Sequence, residues 1–75
     1  MLKTGKYQHF KGNFYQVLHV AKHSENDELM VVYLPLYDNE LGQRDVWVRP
    51  LSMFDETIER DGKSFKRFAY VDKAI

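Results

Sequence analysis

Along most of the chain, apolar residues alternate with polar ones or gather in short β-branched and aromatic runs, and glycine, asparagine, aspartate or proline interrupts these runs every few residues. A period of two is the pattern of strands that bury one face. The first predicted strand covers residues 6–10. Gly12-Asn13 then supplies the glycine-first pair of a type II′ hairpin, and the second strand runs from residue 14 to about 21. Ser24, Asn26 and Asp27 form a polar turn. Residues 29–34 are almost wholly apolar and predict a strand buried on both faces. Pro35, with no N–H to donate to a ladder, marks that strand's end or an exposed edge.

A loop over 38–43 leads into a strand over 45–49, which Pro50 closes. Leu51 to Phe54 reads as one helical turn, with Ser52 as N-cap and Asp55 three residues later completing a capping-box-like pair. Residues 57–60 and 63–68 flank Asp61-Gly62, the strongest short hairpin signal in the chain, and a last strand includes residues 69–71. Five or six short strands with one short helical turn predict an all-β domain, either a small barrel or a strongly bent sheet. There is no internal repeat or linker. Residues 1–75 are read as one domain, the last few as a flexible tail.

Composition sharpens this picture. At 75 residues, a chain buries only about 60% of the surface its unfolded form exposes, so each large side chain inside matters. One tryptophan, five tyrosines and five phenylalanines are available for that purpose, and there is no cysteine. A disulfide framework, a thiolate metal site and a cysteine nucleophile are thereby excluded, and a reducing compartment fits. Lys3, Lys6, His9 and Lys11 break up the first residues, leaving no apolar core for a signal peptide. The longest apolar run, residues 30–37, is far shorter than the roughly 20 residues of a membrane-spanning helix. The expected location is the cytoplasm, with no membrane partner.

Net charge is zero but unevenly placed. Residues 1–23 hold four lysines and no acid, residues 24–59 hold nine acids against Arg44 and Arg49, and residues 60–75 hold five bases against Asp61 and Asp72, giving +4, −7 and +3. Such runs are ordinarily a solvated surface; the functional alternative is a basic face built by the two ends.

Reactive constellations are scarce. His19 and His23 lie on or just past a strand, where four residues span roughly 13 Å, too far to share an ion. His23-Ser24-Glu25 resembles the opening of a zinc deaminase signature, but the Pro-Cys-x-x-Cys partner that chemistry needs is impossible without cysteine. Ser24, Ser52 and Ser64 lie in turn or cap contexts that assemble no catalytic triad, residues 38–42 lack the ligand spacing of a calcium loop, and no phosphate-cradling glycine motif occurs. No metal, no cofactor and no enzymatic activity are expected.

The ordered series Gly5-x-Tyr7-x-His9-x-Lys11-Gly12-x-x-Tyr15-x-Val17, Ala21-x-His23-x-Glu25, Val32-Tyr33, Leu36-Tyr37, Trp47-Val48-Arg49-Pro50 and Met53-Phe54 resembles the short bacterial proteins grouped as domain of unknown function 1653. The resemblance runs from Gly5 to about Phe68, with Trp47-Val48-Arg49-Pro50 its most specific block. It implies an SH3-like small β-barrel and carries no established activity.

Within these blocks stand amphipathic aromatics beside cations: Tyr7, His9, Tyr33, Tyr37, Trp47 and Arg49 are the candidate ligand-binding residues. Trp and Tyr offer large rigid faces with polar tips, and Arg can stack on them or grip a carboxylate or phosphate. A small barrel also needs bulky residues inside, which places Trp47 first in the core and second on a binding surface. Arg49 alternatively fixes the strand end by pairing with Glu25 or Asp45. The expected function is a non-catalytic protein- or peptide-binding module, acting as a monomer or small homo-oligomer. The alternative is RNA or single-stranded nucleic-acid binding through the basic termini and aromatics.

Overall fold

The computed structural model describes residues 2–72. In chain order these form β1 (Gly5–His9), β2 (Phe14–Lys22), β3 (Leu29–Pro35), β4 (Trp47–Pro50), the helical turn α1 (Leu51–Phe54), β5 (Thr57–Arg60), β6 (Lys63–Lys66) and β7 (Phe68–Asp72). The all-β character predicted from the period-two pattern is present. Seven strands form where five or six were expected, and the break between the last two falls at Arg67, inside the run predicted over 63–68. Its N–H donates to the Glu56 carbonyl (2.9 Å) and its carbonyl accepts from Phe10 N–H (3.0 Å), so the chain leaves β6 and joins β1 as a new strand.

Five strands form one antiparallel sheet in the order β4-β3-β2-β1-β7, and β5-β6 is a separate antiparallel hairpin. Among the described residues no strand pairing closes the five-stranded sheet into a ring. The β2–β3 ladder shifts at Leu18, which is left over between the pairs Val17–Tyr33 and His19–Val32, and the β1–β7 ladder shifts between Lys6 and Tyr7. Such bulges bend a strand and increase its twist. Among the described residues no helix is long and apolar enough to cross a membrane.

The β5–β6 turn is the one the sequence announces. Arg60 pairs with Lys63, and Asp61 (φ +53°) and Gly62 (φ +76°) both adopt the left-handed conformation that a two-residue type I′ turn demands. The β1–β2 turn differs from the expected Gly12-Asn13 pair. His9 N–H donates to the Asn13 carbonyl and Gly12 N–H to the His9 carbonyl, both at 2.8 Å, so the chain reverses over Phe10 and Lys11. Gly12 (φ +110°) closes a three-residue loop, the next most common hairpin connection. The His9 ring helps choose it, because Nδ1 accepts the Lys11 N–H at 3.1 Å.

Two further expectations are corrected. β3 is not buried on both faces: Val31, Tyr33 and Pro35 are buried, whereas Met30, Val32 and Leu34 are half-covered. The capping pair of Ser52 and Asp55 does not form. Pro50 occupies the N-cap without a side-chain hydrogen bond, and Asp55 lies at the C-cap, donating its N–H to the Leu51 carbonyl at 2.8 Å. The helix starts one residue after the strand ends, so Ser52 falls inside its first turn and has no free amide to serve.

The core lies on one face of the sheet. Tyr7, Val17, Val31, Tyr33, Phe54 and Phe68 are its buried apolar residues, with Leu2, Tyr15 and Leu51 packed against them. Alternation explains their selection: the register Tyr7–Tyr15, Val17–Tyr33 and Val31–Arg49 puts every second residue of β1 to β4 on that face. α1 lays Phe54 over it, with ring edges meeting Tyr7 at 5.4 Å and Tyr33 at 5.3 Å between centroids.

Candidate functional site

The core face continues past the cover of α1 at the sheet's β4 edge, where it becomes a concavity of about 190 Å³ lined by Tyr15, Tyr33, Tyr37, Trp47 and Arg49. Ladder geometry assembles it. Trp47 faces Tyr33 across β3–β4, Arg49 faces Val31 two residues on, and Tyr15 enters from β2 opposite Pro35. Leu36 N–H donates to the Phe14 carbonyl at 2.9 Å, which carries the chain beyond β3 and sets Tyr37 beside Tyr15. The two phenol oxygens lie 3.1 Å apart and their rings meet edge to face at 5.8 Å.

Trp47 is 55% exposed and Tyr37 44%, which corrects the expectation that Trp47 fills the core. β4 is the last strand of the sheet and only four residues long, so nothing beyond it covers the indole. Tyr33, 5% exposed, forms the floor. Arg49 is half-buried, with its guanidinium carbon 5.4 Å from the centre of the Phe68 ring. It does not pair with Glu25 or Asp45: among the described residues no carboxylate lies within salt-bridge distance of it. The other partnered cations contrast with this, since Arg44 holds Asp38 (2.9 Å), Lys66 holds Asp55 (3.1 Å) and Arg67 grips both oxygens of Glu56 (3.2 and 3.3 Å).

Two of the six candidates lie elsewhere. Tyr7, 3% exposed, is core. Its hydroxyl donates to the Lys3 carbonyl at 2.7 Å. It floors a different depression of about 470 Å³ whose walls include Lys3, Leu51, Lys66 and Tyr70. His9 borders a third, of about 400 Å³, with Phe10, Phe65 and Lys66. Its ring nevertheless reaches toward the β4 concavity, edge-on to Phe68 (4.8 Å) and Tyr15 (6.3 Å). Tyr15 was not among the candidates. The available signal was its place two residues before Val17, on the same strand face as the core.

Protonation states follow the surroundings. Burial, then the hydrogen bond with Tyr37 and the neighbouring Tyr37 and Tyr33 phenols, push the Tyr15 phenol up to about 12, against the opposing pull of Arg49. At neutral pH it keeps its proton and is able to donate, and either phenol of the pair can be the donor to the other. Burial, followed by the positive charges of Arg67, Arg49 and Lys11, lowers His9 below its ordinary value. Burial also raises Tyr7, aided by Tyr70 and Asp55. The arrangement therefore offers a flat apolar floor, an indole wall, one cation and phenol hydroxyls. Among the described residues no three histidine, aspartate or glutamate side chains converge as metal ligands.

A crystal structure of a DUF1653 protein from Bordetella bronchiseptica superposes on this fold with a TM-score of 0.82, is 36% identical, and the match covers 93% of this chain and 87% of that one. No curated protein is significantly similar. The model of the family described as a protein of unknown function (DUF1653) matches residues 5–70, the span that contains the β4 concavity, its aromatic floor and the strand pairings that build them, and the chain belongs to that family.

Proposed function

We propose that this chain is a non-catalytic module that binds a protein or peptide by taking one of its side chains into the concavity of Tyr15, Tyr33, Tyr37, Trp47 and Arg49. The observation that carries the reading is an exposed indole beside a half-buried guanidinium that has no carboxylate partner among the described residues. Exposed Trp, Tyr and Arg are the residues that dominate protein interfaces. The volume, about 190 Å³, is smaller than the roughly 300–1,000 Å³ of small-molecule sites and suits a single anchoring residue. We further propose that the five-stranded sheet and the β5–β6 hairpin are the two parts of an SH3-like small barrel. The bulges that bend the sheet and the Arg67 backbone bonds that join hairpin to sheet support it.

Nucleic-acid binding draws its support from another place, where Lys11 (5.9 Å) and Arg60 (5.0 Å) both lie over the Phe10 ring. The chain's net charge is zero, which opposes strong binding of a polyanion, so this reading ranks second.

Trp47 is the single tryptophan and reports directly on the site. Titrating acidic, basic and proline-rich peptide pools against its emission should give a saturable change with at least one pool, weakened by Tyr37→Ala. Flat emission with all three pools overturns the proposal.

A further inference from the structure

Arg49 packs on the core ring of Phe68, but its charge is paired with no carboxylate among the described residues. Its guanidinium carries five donors, and its recorded contact is with the face of Phe68. The buried side-chain polar atoms without a partner among the described residues are Gln16 Oε1 and Arg67 Nε, so the Arg49 nitrogens still reach solvent. A half-buried cation flanked by aromatic rings has lost part of its hydration and gains more than a surface cation from an anion brought to it.

A second donor stands beside it. In the Tyr15–Tyr37 pair one phenol donates to the other, which leaves one hydroxyl hydrogen uncommitted. The phenol of Tyr15, pushed up to about 12, holds its proton throughout the neutral range. Two acids of the loop that joins Tyr37 to Trp47 are engaged elsewhere: Asp38 accepts from Arg44 at 2.9 Å and Asp45 from Asn39 at 3.4 Å. Neither competes for Arg49. The Tyr33 floor and the Trp47 wall present ring faces that fit an aliphatic stem rather than a second charge.

On the reading proposed above, we infer that the anchoring group of the partner is a carboxylate, seated between the Arg49 guanidinium and the Tyr15–Tyr37 hydroxyl pair with its aliphatic stem against Trp47. One carboxylate neutralises one arginine. A polyphosphate chain needs several cations, and Arg49 is the one cation among the residues that line this concavity, so it is the less suitable anion. The carboxylate can be an acidic side chain or a chain terminus; both present the same two oxygens to a guanidinium fork.

The test uses the full chain and two matched peptide pairs. The first is a blocked pentapeptide with a central glutamate against its glutamine counterpart. The second is a neutral pentapeptide with a free C-terminal carboxylate against its amide. Binding is read from amide chemical shifts and Trp47 emission. The acid of at least one pair should bind about tenfold or more tighter than its amide, with affinity falling as salt rises. The pair that responds names the source of the carboxylate. Arg49→Gln should abolish the preference, and Arg49→Lys should retain only part of it, since a lysine keeps the charge and loses the fork. Because Arg49 also covers Phe68, Tyr37→Phe supplies a second variant at an exposed position; it should narrow the preference while leaving thermal unfolding unchanged. Equal binding of acid and amide by the folded wild type overturns the carboxylate inference and leaves the peptide-binding reading standing. Displacement of the glutamate peptide by a short single-stranded oligoribonucleotide also overturns it. No shift with any of the four peptides removes both.

Discussion

The rings of Phe54 and Phe68 lie parallel, with centroids 4.0 Å apart and 3° between their planes. Other ring pairs in the core meet edge to face, as Tyr7 with Phe54 and Tyr33 with Phe68 do. The stack joins α1, which follows β4, to β7, which pairs with β1 at the far side of the sheet. It therefore links the two edges of the sheet through its core face.

Removing either ring should be severe. Phe54 and Phe68 are essentially inaccessible, and Phe→Ala in a core costs about 3–5 kcal/mol. A domain of this size has only about 5–15 kcal/mol of total stability at most. Phe54→Ala and Phe68→Ala should each lower the urea midpoint sharply, and the double variant should cost less than the two single costs added, because the second truncation removes a contact already lost. Additive costs would show that the rings do not cooperate.

Trp47 should behave oppositely to Tyr33, its cross-strand neighbour. Trp47→Ala removes an exposed ring and should change stability by about 0.5 kcal/mol or less, whereas Tyr33→Ala empties the core and should cost about 3–5 kcal/mol. Denaturant unfolding of the two variants distinguishes an exposed indole from a core one. A Trp47→Ala loss as large as that of Tyr33→Ala contradicts the account.

The strand elements were legible because alternation and turn residues act locally. Asp61-Gly62 demanded a type I′ turn, and Pro35 and Pro50 end their strands where a missing donor requires it. What the pattern could not show was set by particular side-chain and backbone contacts, some local and some distant in sequence. The β1–β2 loop is a three-residue turn because the His9 ring accepts the Lys11 amide. Arg67 ends β6 because Glu56 and Phe10 capture its backbone. Trp47 and Tyr33 both follow the same alternation, and only the strand order makes one edge and the other centre. The candidate site was partly legible for the same reason. Tyr33, Tyr37, Trp47 and Arg49 come together, while Tyr7 and His9, on β1, stand on the far side of β2 from them.

Stability should depend on pH on both sides of neutrality. Folding lowers the His9 pKa below its ordinary 6.5, so the unfolded chain binds the proton more readily. The corresponding contribution is complete above about pH 6.5 and is lost as pH falls through the folded value. Folding raises Tyr15 from 10.0 to about 12, so its contribution is complete below about pH 10 and is lost as pH rises toward 12. Urea midpoints across the pH range should fall at both ends, with His9→Phe flattening the acid limb and Tyr15→Phe the alkaline one. An unchanged acid limb in His9→Phe would assign it to other groups.

Gly62 lies at φ +76°, and a Cβ added there would meet nothing within 4 Å. Gly62→Ala therefore tests backbone conformation alone and should cost about 1–2 kcal/mol. Thermal unfolding measures it, and a stabilising effect would show that the turn is not left-handed in solution.

The central claim is that the β4 concavity is the surface this chain offers to a partner. Mapping backbone amide shifts during titration with the glutamate-centred pentapeptide tests it most directly. The account predicts that the largest shifts fall on Tyr15, Tyr33, Tyr37, Trp47 and Arg49. Shifts centred instead on Gln8, Phe10, Phe65 and Ala69 would contradict it.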